Sequence, residues 1–295
     1  MTINTLLIPT DGSDVATEAA HHGFDLATQL DAEVHVLSVA DSSLATGVGY
    51  SGDSPRMRRR LREQATERAD SLGQEVSARG LEVTTATREG IPAQEIVEYA
   101  TDHELDGIVI GTSGRGGVSR AVIGSVADKV VRMATIPVVT LNRATLEHEH
   151  LAGTIESILL PTDGSEASER AAVQGIELAH QLDAQVHVLS VVEPSDTLVE
   201  EEETNGDEFA DEAISKIEQE CRDRDHDVIT SIRTGKPADE IVGYVSENDI
   251  GGIVIGTQGH GGFKRWLIGS VTDTVVRTAP VPVITIKATP VPPNE

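Results

Sequence analysis

An α/β fold with a parallel sheet, present twice in tandem, follows from three features of this 295-residue chain. Short runs rich in Val, Ile and Leu alternate with longer segments of helical spacing. Strand–helix alternation requires crossover connections and therefore a parallel sheet. The whole pattern then recurs. Ile8-Pro9-Thr10-Asp11-Gly12-Ser13 returns as Leu160-Pro161-Thr162-Asp163-Gly164-Ser165, and Glu33–Val39 returns as Gln185–Val191, both 152 residues on. Gly90-Ile91-Pro92-Ala93 returns as Gly235-Lys236-Pro237-Ala238, and Ile108–Thr112 as Ile253–Thr257, 145 residues on. A length change of 7 residues in mid-domain, with both ends in register, marks a duplicated domain and not a short-period solenoid.

In copy 1 the expected strands are Thr5–Pro9, Glu33–Val39, Leu81–Thr87, Gly107–Gly111 and Pro137–Leu141. They read as continuous apolar runs, as strands covered on both faces do. Between the first two lies Asp14–Leu30, where Ala16, Ala19, Ala20, Gly23, Phe24, Ala27 and Leu30 make one small apolar helix face. A second helix is expected over Gln94–His103. Each copy is thus read as a doubly wound domain of five strands. The expected limits are 1–142 and 154–288, with a linker over 143–153 and a tail over 289–295. The linker contains Glu147-His148-Glu149-His150. Two histidines with no further ligand nearby in sequence read as a solvated connection and not as a metal site.

Composition excludes several functions. There are 49 acidic and 23 basic residues, a formal net charge of −26. A nucleic-acid surface needs a basic patch to meet the phosphate backbone, and 2% aromatics is too few for a base-stacking platform. Many acids with few lysines and aromatics suit a high-salt, halophilic cytoplasm, where repulsion among carboxylates is screened. The acidity is uneven, with 20 acids against 13 bases in 1–145 and 29 against 10 in 146–295. No apolar run reaches the ~18 residues of a membrane span, and the N-terminus lacks the basic start and apolar core of a signal peptide. A cytoplasmic protein without membrane or nucleic-acid partners is expected. Cys221, the sole cysteine, reads as an incidental thiol. Arg56, Arg58, Arg59, Arg60 and Arg62 follow the glycine-rich Thr46–Gly52, while copy 2 has Glu200–Glu203 in the corresponding region. Both are read as solvated faces, the second on a mobile loop. His21, His22, His103, His180 and His226 are also read as solvated, and Trp266 as packing at the start of the last helix.

The motif that carries chemistry follows the fourth strand. Copy 1 has Gly111-Thr112-Ser113-Gly114, nine residues, then Gly124-Ser125; copy 2 has Gly256-Thr257-Gln258-Gly259, nine residues, then Gly269-Ser270. Glycines let a backbone turn tightly and let a ligand approach without a Cβ in the way. Successive N–H groups in such a loop form an anion-binding concavity, and the helix start after the Gly-Ser pair adds unpaired N–H groups and partial positive charge. The Ser125 and Ser270 hydroxyls can join a phosphate oxygen. The alternative is a tight strand-to-helix turn and nothing more; the same spacing twice in one chain favours the ligand. The second element is the end of strand one, Pro9-Thr10-Asp11-Gly12-Ser13 and Pro161-Thr162-Asp163-Gly164-Ser165. Ligands of open α/β sheets bind beyond the carboxyl ends of strands, at the topological switch point. Asp11 and Asp163 there suit ribose hydroxyls or a phosphate-bound metal such as Mg or Mn; capping of the first helix is the competing role.

The Gly-x2-Gly-x9-Gly-Ser spacing, the Pro-Thr-Asp-Gly-Ser opening and the Gly-x-Pro-Ala turn together resemble the universal stress protein family, across essentially the whole chain and in both copies. The resemblance implies the strand order 3-2-1-4-5, which sets strands one and four side by side. It implies ATP or another adenine nucleotide as ligand, with adenine contacted by the backbone at the end of strand two, here Val39 and Val191. It also implies that the last strands, Pro137–Leu141 and Pro282–Ile286, pair across a two-fold axis as an internal pseudo-dimer, with a further homodimer as an open alternative. The chain departs from the common Gly-Ser-His-Gly-Arg-Gly-Gly loop. Ser113 and Gln258 replace the histidine, and Arg115 is kept in copy 1 where copy 2 has His260.

Three functions fit: a nucleotide-binding stress-response regulator, a slow ATP-hydrolysing enzyme, and a dimerisation module with vestigial sites. The lack of Gly-x4-Gly-Lys-Ser/Thr argues against rapid hydrolysis, and the lack of Gly-x-Gly-x-x-Gly after either first strand argues against a dinucleotide dehydrogenase.

Overall fold

The computed structural model describes residues 2–41, 55–112, 123–146, 154–194, 200–257 and 268–287, the last-but-one segment by backbone alone at 200–205. The chain divides into two compact units, Ile3–Thr154 and one whose main body is Ile155–Glu295. The first runs β1 (Thr5–Thr10), α1 (Asp14–Leu30), β2 (Glu33–Asp41), α2 (Pro55–Ala78), β3 (Val83–Gly90), α3 (Pro92–Asp102), β4 (Gly107–Gly111), α4 (Ser125–Met133), β5 (Val138–Leu141) and the short α5 (Arg143–Leu146). The second runs β6 (Ser157–Thr162), α6 (Glu166–Leu182), β7 (Gln185–Val192), α7 (Glu200–Arg222), β8 (Val228–Thr234), α8 (Pro237–Glu247), β9 (Gly252–Gly256), α9 (Ser270–Thr278) and β10 (Val283–Ile286).

All pairings within the first unit are parallel and give the order β3-β2-β1-β4-β5. The second repeats it as β8-β7-β6-β9-β10. The order reverses direction after β3, so right-handed crossovers put α1 and α2 on one face and α3 and α4 on the other. Leu6, Leu7 and Ile8 of β1, with Ile108 and Val109 of β4, form the buried centre. Helix α1 lies over that pair. Its Gly23 is a helix-interior glycine, a choice that weakens a helix by about 1 kcal/mol, and packing explains it: a Cβ there would stand 2.7 Å from Ile8 Cδ1 and 3.3 Å from Val109 Cγ1. Gly175 of α6 occupies the same place against Leu160 and Val254.

Several elements differ from the sequence reading. Strand β3 begins two residues late and runs on to Gly90, because β2 continues to Asp41 and the pairing extends to Asp41–Gly90. Second, β3 and β8 have exposed residues and are not covered on both faces, as edge strands need not be. Third, Glu200–Glu203 is not a loop; its backbone is the first turn of α7. Glutamate is a good helix former, and acidic side chains suit the positive end of the helix. The start of the expected linker, Arg143–Leu146, is helical, and the Asn142 side chain accepts from Thr145 N at 3.0 Å. Cys221 is fully buried in α7, and burial pushes its thiol up to about 11, so it stays protonated and unreactive near neutrality. No described helix is long and apolar enough to cross a membrane.

The charge imbalance generates a prediction. The second unit carries most of the acid excess, with 29 acids against 10 bases in residues 146–295, and the screening length grows from about 3 Å at 1 M salt to about 10 Å at 0.1 M. On dilution of KCl, amide protons of β6–β10 should lose exchange protection before those of β1–β5. Simultaneous loss in both units would contradict this.

Candidate functional site

Strands β1 and β4 fix the site. Leu7 pairs with Ile108, so three residues further along each strand Thr10 and Gly111 end side by side. Leu159 pairs with Ile253 in the second unit, which aligns Thr162 with Gly256. On the other flank Thr10 is level with Ser38, and the Ser38 hydroxyl donates to Thr10 O at 3.0 Å. Val39 and Val191, one residue beyond, are half-buried. The sequence-predicted Pro9, Thr10, Asp11, Val39, Gly111 and Thr112 therefore converge on one end of the sheet, as do Pro161, Thr162, Asp163, Val191, Gly256 and Thr257.

The β1–α1 turn is self-supporting. Thr10 Oγ1 accepts from Gly12 N at 3.0 Å, Asp11 Oδ1 from Ser13 N at 2.9 Å, and Ser13 Oγ from Ala16 N at 3.2 Å. The second copy repeats all three, at 3.1, 3.1 and 3.2 Å, with Thr162, Asp163 and Ser165 as acceptors. Gly12 and Gly164 have φ of +73° and +72°, the left-handed region that a Cβ disfavours. Ser13 and Ser165 are the helix N-caps, which leaves the aspartates a distinct place beside the strand ends. Asp11 is half-buried and Asp163 exposed.

The second loop closes on the same end. Thr112 N donates to Leu141 O at 2.8 Å and Gly124 N donates to Thr112 O. In copy 2, Thr257 N donates to Ile286 O at 2.9 Å and Gly269 N to Thr257 O at 2.8 Å. The glycines after the loop are thereby tied to the strand ends, and each is the N-cap of α4 or α9 with extended backbone and no side-chain cap. Ser125 and Ser270, the first helical residues, are exposed. Gly111 has a packing role that the motif did not reveal: a Cβ there would press on Val15 and Ala19 of α1 at 3.1–3.3 Å. Gly269 is the opposite case. A Cβ would meet, among the described residues, only Thr257 O at 3.7 Å and Thr272 Oγ1 at 4.0 Å, and its φ of −60° suits any residue. Ser113, Gly114, Arg115, Gln258, Gly259, His260 and Trp266 lie outside the described residues, as does 147–153.

The family model described as the universal stress protein family matches twice, over residues 2–142 and 154–287. The chain belongs to the universal stress protein family. A universal stress protein of Methanocaldococcus jannaschii is 37% identical over 142 residues, 48% of this chain and 84% of that protein. Another, YxiE of Bacillus subtilis, is 28% identical over 142 residues, covering 46% of this chain and 96% of its own. The crystal structure of a universal stress protein from Archaeoglobus fulgidus matches 97% of this chain and 99% of its own with a TM-score of 0.76 at 22% identity, which shows a shared fold.

Sequence reasoning missed a second repeated cluster in this universal stress protein. His35 and His187 are buried in β2 and β7, and each Nδ1 is 3.0 Å from a tyrosine hydroxyl, Tyr99 or Tyr244. Arg88 and Arg233 lie over those rings at 5.0 and 4.8 Å and pair with Glu95 and Asp102, or Glu240 and Glu247. His103, read as solvated, is exposed and also stacks on Tyr99 at 3.9 Å, and the partly exposed His21 is 2.9 Å from Glu75. The signal was present: His35/His187 and Tyr99/Tyr244 recur at the two repeat offsets.

Burial holds both imidazoles below their ordinary value; for His35 the Glu33 carboxylate pulls the other way and His103 adds to the lowering. Burial likewise raises both tyrosines against the neighbouring arginines. An unfolded imidazole takes its proton near pH 6.5, before the folded one does. The stabilising contribution is therefore complete above about pH 6.5 and is lost as pH falls towards the lowered folded value. The unfolding midpoint should drop between pH 7 and 5, and a His35→Gln, His187→Gln variant should show a shallower drop. Tyr244→Phe, which strips His187 of its partner, should cost about 1–2 kcal/mol. An acid limb unchanged in the double variant would refute the assignment.

Proposed function

We propose that each copy of this universal stress protein binds an adenine nucleotide, with ATP as the expected ligand, and that the chain acts as a cytoplasmic stress-response regulator and not as a rapid hydrolase. The observation that carries the reading is Gly269. The fold does not require glycine there among the described residues, yet both copies place glycine before an uncapped helix start. A ligand that must reach the first N–H groups of α4 and α9 accounts for it. The aspartates beside the strand ends suit the ribose, and the backbone at Val39 and Val191 suits the base, as the family resemblance implies. Gly114, Ser113 and Arg115, with Gly259, Gln258 and His260, complete the phosphate loops of this proposal.

A divalent ion fits only in a limited way. Among the described residues no group of three metal-ligating side chains occurs, and each site offers one aspartate whose Oδ1 already accepts a backbone N–H. Mg or Mn would accordingly be held through the phosphates with Asp11 or Asp163 as one oxygen donor, since Mg keeps most of its shell from phosphates and water. Pairing of the edge strands as a pseudo-dimer belongs to the same proposal.

Mass spectrometry of ligand extracted from the purified protein should return an adenine nucleotide, and calorimetry should give two sites per chain. Gly269→Ala should weaken binding at one of them at least tenfold, with the melting temperature lowered by only a few degrees, because alanine is a poorer cap than glycine but has room. Full binding by Gly124→Ala and Gly269→Ala alike would sink the reading. Phosphate release above about one turnover per hour, far below typical enzyme rates, would move the function to slow hydrolysis.

A further inference from the structure

The two sites share a floor but not a wall. In copy 1 the turn carrying Asp11 lies beneath a side chain of α2. A Cβ on Gly12 would meet Arg68 Cδ at 2.8 Å, Nε at 2.9 Å and Cγ at 3.2 Å. The stem and the root of the guanidinium therefore rest on the turn itself. Arg58 and Arg62 of the same helix approach Glu89 at 3.8 and 3.6 Å. Glu89 is level with Ala40, two residues past the Ser38–Thr10 pair, so these groups also stand at the carboxyl end of the sheet.

Copy 2 has the same turn with different chemistry above it. The buried Ala65, Ala69, Leu72 and Val76 of α2 correspond, 145 residues on, to the buried Ala210, Ile214, Ile217 and Cys221 of α7. The offset makes Ala213 the counterpart of Arg68, and it is Ala213 Cβ that lies 3.4 Å from a Cβ on Gly164. The counterparts of Arg58 and Arg62 are Glu203 and Asp207, and that of Glu89 is Thr234. The turns themselves match in φ and in their three hydrogen bonds.

Resting on the nucleotide reading above, we infer that Arg68 makes copy 1 the charge-selecting site, favouring nucleoside triphosphates over monophosphates, while copy 2 discriminates little between them. Arginine is charged at every accessible pH and presents a planar fork suited to phosphate oxygens; Ala213 offers a methyl group. Distance decides which of the three arginines matters. In molar salt the screening length is about 3 Å, so only a group at the turn acts on a ligand there. Arg58 and Arg62 are exposed and drawn to Glu89; Arg68 is against Gly12.

The test uses the full chain in two backgrounds, Gly269→Val to leave the copy 1 site and Gly124→Val to leave the copy 2 site. Each is titrated with ATP and with AMP in molar KCl. The ATP-to-AMP affinity ratio should be about tenfold larger at copy 1, the factor for one charge-assisted contact. Arg68→Met, which keeps the stem's packing, should lower that ratio several-fold towards the copy 2 value, leaving whatever Arg115 contributes over His260, and Arg68→Lys should lower it less. Melting curves confirm that each variant is folded. Equal ratios at the two sites, or a copy 1 ratio unmoved by Arg68→Met, overturn the proposal while leaving nucleotide binding in place. Binding of neither ligand in either background overturns both.

Discussion

The contact of α1 with the β1–β4 pair is the constraint on which the site depends. Gly23 lets the helix sink onto Ile8 and Val109, and Gly111 gives way to Val15 and Ala19 at the helix start. A helix held that closely sets where the β1–α1 turn emerges, and therefore where Asp11 sits relative to the loop after β4. The reversal of strand order supplies the rest. Because β1 has β2 on one side and β4 on the other, no crossover helix covers the gap between their ends. The second unit meets the same constraint with Gly175 against Leu160 and Val254.

Electrostatics separates two length scales. A chain of net charge −26 repels an anionic ligand at long range, most strongly in dilute salt. Concentrated salt removes that field but spares contacts at hydrogen-bond distance. An anion site in such a chain must therefore rest on groups that touch the ligand. Backbone N–H groups at an uncapped helix start are of that kind, since their dipoles are fixed by the fold and need no counter-charge. The exposed i,i+4 pairs on the helices, such as Arg59–Glu63, contribute little in either regime.

Much of this was legible in the sequence, for a physical reason. The span of α1 and the Thr-Asp-Gly-Ser turn are set by local chemistry: apolar periodicity, a serine cap, a glycine at positive φ; the strand order is what the family resemblance implied. Residues of that kind announce themselves. The end of β3 did not, because Arg88 and Glu89 are poor strand formers, placed in a strand only by pairing with an overlong β2. Glu200–Glu203 misled because acid runs read as solvated loops, whereas here they begin a helix. The histidine–tyrosine pairs were hidden for another reason. His35 and Tyr99 are 64 positions apart, and no periodicity links a strand residue to one on a helix three elements on. Arg68 was hidden most deeply, since its place depends on how α2 is rotated about its axis.

Comparing the copies separates what the fold needs from what a ligand needs. Gly12 and Gly164 are shared, but positive φ explains them. Ser13 and Ser165 are shared, but capping explains them, and the glycines of α1 and α6 are explained by packing. Once those are set aside, a small residue set remains. Gly269 has no steric demand on it among the described residues, and Ser125 and Ser270 are exposed where many residues would serve a helix start. Two copies that differ along most of α2 and α7 agree at these positions. Agreement that packing does not demand, at the switch point of the sheet, supports the ligand proposed for these sites.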